Sequence, residues 1–416
     1  MEAGAVPRPE PSRASVFSAG DAGPLAVLPA DQRLLLLTAG GSANDALIRQ
    51  TAAEPLDWPR FFALAQIERA VPIIYPRLRA LVPDLVPATG LEQMRRLAQV
   101  SDFAMLHLEH RLRESLRALQ REGVKTLLLK GAGLAFTVYA GARQRPMSDI
   151  DLLVEPNEAS TARRIMLETG WREADDGPPD DVYLHHHHLP PLFDSRSRDL
   201  QLEIHTALFP ERQPFAFDTS EVWARARVIG PVMPGALAPC AVHALLHTCL
   251  HFFWSHQARF GVWRTIRDVH ALSLTGDIDW QEFVTKARAV RGATSCYWTL
   301  RVAQVAGGVP VPPYVLDDLC PPRRPQVLHA LERHLIHNLL PVTNGCPSVK
   351  LEHWLWEAAA MPRASGHGAL RPWDDDEKFV MAVKRGAATD RRSFPYGPQR
   401  VLAFTRYLAM LFRGRP

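Results

Sequence analysis

Long apolar runs are missing from this chain. No stretch approaches the ~18–20 uninterrupted apolar residues of a membrane span. Met1 to Gly23 is rich in Pro, Ala and Ser, carries acidic residues, and lacks the apolar core of a signal peptide. The expectation is a cytoplasmic protein. Cysteine is scarce as well: Cys240, Cys249, Cys296, Cys320 and Cys346 are odd in number, widely spaced and free of any Cys-x-x-Cys pair. That pattern signals neither a disulfide framework nor a zinc knuckle, and the five read as buried free thiols. Charge of one sign is nearly absent, since 48 basic residues face 44 acidic ones for a net +4. Such an excess helps hold an anionic ligand but does not announce a nucleic-acid binder. Lysine is rarer still, with six among the 48 basic residues. The bias toward Arg, Ala and Pro weakens any argument from a single arginine, so a lysine inside a motif carries more information.

What is present is an ordinary globular composition, 47% hydrophobic and 22% charged over 416 residues. It can bury a core, and at roughly 100–200 residues per domain the length allows two or three domains. Residues 1–24, with Pro7, Pro9, Pro11 and Pro24, read as a flexible lead-in. From 25 to 121 the apolar residues recur at three and four, and Leu91 to Arg121 predicts one long amphipathic helix stopped by Gly123. The texture changes over 122–232. Val124 to Leu129 is a short β-compatible run ending in Lys130-Gly131, followed by a short helix from Ala132 to Tyr139 and then a strand from Ser148 to Val154. In that strand Asp149 and Asp151 face one side, while Ile150, Leu152 and Val154 face the other. Leu200 to His205 repeats the period of two and places Gln201, Glu203 and His205 on one face. Residues 233–416 return to helical spacing. The fold class expected is α+β, a small mixed sheet with helical regions before and after it.

Paired carboxylates on a strand, with a third on a neighbouring strand, suit phosphoryl and nucleotidyl transfer. Mg2+ takes hard oxygen ligands and completes its shell with water and substrate phosphates. A Gly-containing turn upstream lets backbone N–H groups approach phosphate oxygens, and Lys130 adds positive charge there. Arg143 and Arg145 have the chemistry of a triphosphate clamp, set against surface ion pairing. For Asp268 the expected role is an i−4 ion pair with Arg264. His185 to His188 are consecutive, so alternate members face opposite sides and cannot all converge on one ion. His243, His247 and His251 share one helix face, which reads as a partly buried packing surface rather than a zinc site. Trp254, Trp263, Trp280 and Trp298 read as helical core, and the basic, apolar run from Arg400 to Arg415 as a packed final helix.

Three segments together, Leu129-Lys130-Gly131, then Arg145 to Val154, then Glu203-Ile204-His205, resemble a bacterial nucleotidyltransferase-like family related to the polymerase-beta-type nucleotidyltransferases. The resemblance spans roughly residues 120–275. In that superfamily a Gly-Ser turn precedes Asp-x-Asp on a strand, and a third carboxylate follows on a later strand. Here Lys130-Gly131 stands in the place of Gly-Ser, and 17 residues separate it from Asp149. The resemblance implies that Asp149 and Asp151 bind metal and that Glu203 binds metal or deprotonates the acceptor. Lys130, Gly131, Arg143, Arg145, Ser148 and His205 would then surround the nucleotide. The implied reaction is Mg2+-dependent transfer of a nucleoside monophosphate from an NTP to a hydroxyl of a small molecule, sugar, peptide or RNA end. Its rivals are a non-catalytic accessory protein that binds a nucleotide or partner, and a toxin-like transferase acting on tRNA or protein.

Overall fold

Alternating side chains on short strands divide the interior into two apolar clusters, one on each face of a single sheet. The computed structural model describes residues 23–174, 183, 186–197, 199–210, 214–230, 233, 235–341, 346–360 and 398–412. Most of the expected lead-in, the Asp175–Asp181 loop, His185 and Arg415 lie outside the described residues.

The sheet is built from β1 (Thr126–Leu128), β2 (Asp149–Leu153), β3 (Trp171–Arg172), β4 (Leu192–Asp194), β5 (Gln201–His205), β6 (Arg227–Val228) and β7 (Ala236–Ala238). Their order is β3-β4-β5-β2-β1-β7-β6. The pairs β2–β5 and β1–β7 are parallel and the others antiparallel, so the sheet is mixed, as expected for an α+β chain. Ile150, Leu152, Val154, Leu200, Leu202 and Ile204 pack in one cluster. Leu127, Leu129 and Leu153 join the other. The period of two therefore sends Asp149, Asp151 and Glu203 to the face that the C-terminal helices approach.

Before the sheet come α1 (Ala30–Leu37), α2 (Asp45–Ala52), α3 (Trp58–Ile67), α4 (Val71–Leu81) and the 34-residue α5 (Ala88–Arg121). The end of α5 is fixed by Gly123 at φ 76°. Its N–H donates to the Gln120 carbonyl at 3.1 Å and that of Val124 to the Leu119 carbonyl at 3.0 Å. This Schellman pairing needs a left-handed residue, which glycine supplies without strain. Within the sheet region lie α6 (Lys130–Thr137) and α7 (Ala159–Glu168), with α8 (Thr219–Ala224) before β6. Helix α6 lies close on β1 because Gly133 has no side chain, and a Cβ there would stand 2.5 Å from the Leu128 carbonyl oxygen.

After the sheet follow α9 (Ala241–Leu250), α10 (Val262–Leu274), α11 (Trp280–Ala289), α12 (Ala293–Gly307), α13 (Pro313–Leu319), α14 (Pro325–His337) and α15 (Val349–Ala360). Beyond Leu250 the helical backbone widens into a π-turn over His251–Ser255. These helices share one apolar cluster with α1–α4. Trp263 ties the two groups, donating its indole N–H to Thr38 Oγ1 at 3.0 Å and its backbone N–H to Glu68 Oε2 at 3.0 Å. Trp254, Trp263 and Trp298 are buried core, and Trp280 is half-buried against it. The final helix, Pro398–Phe412, packs through Tyr407 and Leu411 while Val401, Leu402, Leu408 and Phe412 remain exposed. Cys240, Cys249, Cys296 and Cys346 are buried free thiols, whereas Cys320 is only half-buried. No described helix is long and apolar enough to cross a membrane.

Candidate functional site

Parallel pairing of β2 with β5 sets Asp149 against Gln201 and Asp151 against Glu203. The register is pinned at its start by the Ser148 carbonyl, which accepts the Gln201 N–H at 3.0 Å. Two strands with period-two carboxylates thereby place three acidic side chains on one sheet face. A cleft opens over this face, lined by Lys130, Gly131, Arg145, Asp149 and Asp151 from the sheet region. The opposite wall is helical and contributes His247, His251, His256, Gly261, Arg264 and Asp268.

Asp151 is the centre of the cluster. Its Oδ1 accepts from Lys130 Nζ at 2.8 Å and lies 2.9 Å from His205 Nε2, which is also 3.4 Å from Glu203 Oε2. Burial alone would raise the Asp151 carboxyl, but Lys130 and the His205 hydrogen bond win and hold it below its ordinary value. Burial likewise opposes ionisation of Glu203, yet His205, His188 and Lys130 keep it well below the usual carboxylate range. His205 is pushed down by burial and by Lys130, then raised overall by its bonds to Asp151 and Glu203. Lys130 loses to burial but gains more from Asp151 and Glu203, so it stays charged. Three carboxylates thus face one ammonium and one imidazole. Asp149 is hydrogen-bonded by no side chain among the described residues and lines the cleft.

Lys130 reaches Asp151 from a strained backbone, with φ +45° at the first residue of α6. That region is unfavourable for a residue with a Cβ, and a strain of this kind persists only where surrounding structure enforces it. Gly131 follows, and a Cβ there would press on Met147 Sδ at 3.3 Å and touch Arg145 Nη1 at 3.5 Å.

The expected partners change at Arg145. Its Nε and Nη2 donate to Asp268 Oδ1 and Oδ2 at 2.7 and 2.8 Å, so the partner of Asp268 is Arg145 across 123 positions rather than Arg264 one turn away. A fork-to-fork pair is geometrically preferred over the single contact an i−4 neighbour offers. Tyr139 adds its hydroxyl to the same carboxylate at 2.9 Å. Arg143, on the turn Ala142–Gln144, is exposed and does not line the cleft. Arg264 does line it, and burial followed by Arg145 pushes this guanidinium below its ordinary value. Arg264, His247 and His251, expected in structural roles, line the cleft instead. The signal for Arg264 was Gly261, at φ +64° before α10, which starts that helix at the cleft.

His247 was expected to be a partly buried packing residue and is buried in the wall, with Nε2 in contact with no hydrogen-bond partner among the described residues. Burial, then Lys130, lowers it to about 3, so it is neutral at physiological pH. His188 is lowered by burial to about 4. The histidine run departs from expectation in another way. The chain bends at His186 and His187 instead of extending, and one ring nitrogen from each of His186, His187 and His188 lies within 4.8 Å of the others. Alternation of faces holds only in a strand, and this segment is not one.

The donor set Asp149, Asp151 and Glu203 is made of oxygens of the kind a hard divalent cation takes, and Asp151, Glu203 and His205 each have a ligand atom within 4.8 Å of the others. The negative excess is one or two charges, depending on the proton of His205, which matches one such ion more readily than two. Among known families, the model of one described as an uncharacterised nucleotidyltransferase matches residues 54–307, more than half of the chain. No curated protein and no solved structure matches it.

Proposed function

The chain belongs to this family of nucleotidyltransferases, and from that premise we propose that it moves a nucleoside monophosphate from an NTP to a hydroxyl acceptor with release of pyrophosphate, in a Mg2+-dependent reaction. The observation that carries this reading is the β2–β5 register, which sets Asp151 beside Glu203 and leaves Asp149 facing the cleft. Asp149, Asp151 and Glu203 would hold the ion. When bound, it would supply positive charge to the phosphate oxygens and lower the cost of charge on the attacking and leaving oxygens.

The side chains around the carboxylates have separable tasks. Lys130 balances the buried charge of Asp151 and presents an ammonium at the floor of the cleft. Arg264 offers a guanidinium from the helical wall, the role first expected of Arg143 and Arg145. Arg145, locked to Asp268, ties the turn ahead of β2 to α10 across the cleft. In the transfer the acceptor oxygen bonds to the α-phosphorus, the bond to the bridging oxygen of the β-phosphate breaks, and the acceptor proton passes to a carboxylate. Glu203 is ionised and so can accept it, but its depressed value makes it a weak base, which suits it better to holding the ion.

One feature of Asp151 favours a second reading, non-catalytic nucleotide binding: its Oδ1 is already held by both Lys130 and His205. The test separates the two. Pyrophosphate release is measured with each NTP, Mg2+ and a cell extract supplying acceptors, for wild type and Asp149→Ala/Asp151→Ala. Release by wild type alone supports the transferase. NTP binding without release under every acceptor supports the accessory reading, and neither binding nor release overturns both.

A further inference from the structure

A second group of ligating atoms lies beside the carboxylates and is used by no step above. We propose that His186, His187 and His188 form a separate site for a borderline transition ion of the Zn2+ class. One ring nitrogen of each lies within 4.8 Å of the others. Zn–N bonds of about 2.0–2.1 Å place tetrahedral ligands about 3.4 Å apart, a closure that modest χ rotations supply. Imidazole nitrogens suit such an ion and carboxylate oxygens suit Mg2+, so the two neighbouring sets select different metals.

Three properties distinguish this run from a floppy histidine tract. Its backbone is tied to rigid β5: Thr206 N–H donates to the His187 carbonyl at 2.8 Å and Leu189 N–H to the Ile204 carbonyl at 2.8 Å. The His188 Nδ1 lies 2.9 Å from the Leu189 carbonyl, which makes Nδ1 the protonated nitrogen and leaves the Nε2 lone pair for a ligand. This is how metal-binding histidines are commonly oriented by an outer partner. Finally, the Nδ1 of His187 is buried without a hydrogen-bond partner among the described residues, a cost that coordination through this ring would offset. The rings of His187 and His188 each lie 5.2 Å from that of His205, which bonds Asp151. An ion held here would tie the segment to the end of the strand that carries Glu203 and His205.

The experiment uses the full chain, stripped with chelator, loaded with Zn2+ or Co2+ and dialysed. The expected result is one equivalent of Zn2+ retained per chain, a rise in Tm, and a tetrahedral Co2+ absorption band. All three should vanish in His187→Ala/His188→Ala and persist in Asp149→Ala/Asp151→Ala. Should the double histidine variant misfold, His188→Gln, which keeps the polarity and approximate bulk, carries the same expectation of weakened retention. Substoichiometric retention by wild type overturns the proposal, as does retention lost in the aspartate variant but kept in the histidine ones. Because neither NTP nor Mg2+ is present, failure here leaves the transferase reading standing.

Discussion

Two buried charge clusters sit on this sheet, and they are finished differently. Under α5, Arg111 and Asp194 have side chains 1% and 0% exposed. Arg111 donates Nε to Asp194 Oδ1 at 2.8 Å, Nη2 to the Thr169 carbonyl at 3.1 Å and Nη1 to Glu114, and its guanidinium stacks 4.9 Å over Trp171. His107 takes the second oxygen of Asp194 at 2.7 Å. Each charge is met and each guanidinium nitrogen donates. In the cleft cluster, three carboxylates share one ammonium and one imidazole, the Nδ1 of His205 is buried without a partner among the described residues, and Lys130 sits at φ +45°. Both clusters are ionic and buried. The first has no capacity left for a ligand, and the second keeps negative charge and lone pairs in reserve, at a cost in stability that a structural role does not explain.

Breaking the saturated cluster should have the largest effect on stability. Arg111→Ala leaves the buried Asp194 with His107 alone and removes the bonds to Glu114 and the Thr169 carbonyl and the contact with Trp171, so about 3–5 kcal/mol of stability should be lost in urea unfolding, with no recovery on adding Mg2+. An effect under 1 kcal/mol by the same assay, roughly that of a surface ion pair, would erase the distinction drawn between the clusters. Lys130→Met should cost less, about 1–3 kcal/mol, because His205 still bonds Asp151. Here millimolar Mg2+ should restore Tm more than it does in wild type, since the cation replaces the lost ammonium; equal Mg2+ shifts in both proteins would contradict the charge excess.

Protons sharpen the comparison further. His247 is lowered from 6.5 to about 3, so the unfolded chain takes up this proton before the folded one does. Its contribution to stability is complete above pH 6.5 and falls away as pH drops from 6.5 toward 3, by up to about 1.4 kcal/mol per pH unit. His247→Leu should flatten the pH profile of stability in that window by that slope. His205 acts in the opposite sense: its folded value is raised, so the stabilisation from its charged form is complete below the ordinary histidine value and is lost as pH rises through the folded one. The smallest effect on stability belongs to Asp149→Asn. The side chain has no bonded partner among the described residues, so unfolding should change by less than about 0.5 kcal/mol while Mg2+-dependent nucleotide binding is lost. A large destabilisation would mean that Asp149 serves the fold.

Much of this was legible in the sequence where a local period carried it. The alternation in Asp149–Leu153 and Gln201–His205 showed both the strands and the faces of their carboxylates, and three-and-four spacing marked α5 and the later helices. The short strands β3, β4, β6 and β7 have two or three residues each, too few for a period to register. The Arg145–Asp268 fork joins positions 123 apart, beyond the reach of spacing, and a nearby i−4 arginine offered a simpler partner. The grouping of His186, His187 and His188 was not legible, because the chain bends at His186 and His187 and a period of two applies only to extended backbone.

In the proposed function, the unsaturated carboxylate cluster holds an ion and, with it, a nucleotide. The most direct measurement is calorimetric titration of each NTP into the full chain, with and without Mg2+, for wild type, Asp149→Ala/Asp151→Ala and Arg143→Ala. Wild type and Arg143→Ala should bind an NTP when Mg2+ is present, and the double aspartate variant should not. Binding that is equal in the double variant, or absent from wild type at every Mg2+ concentration, would contradict it.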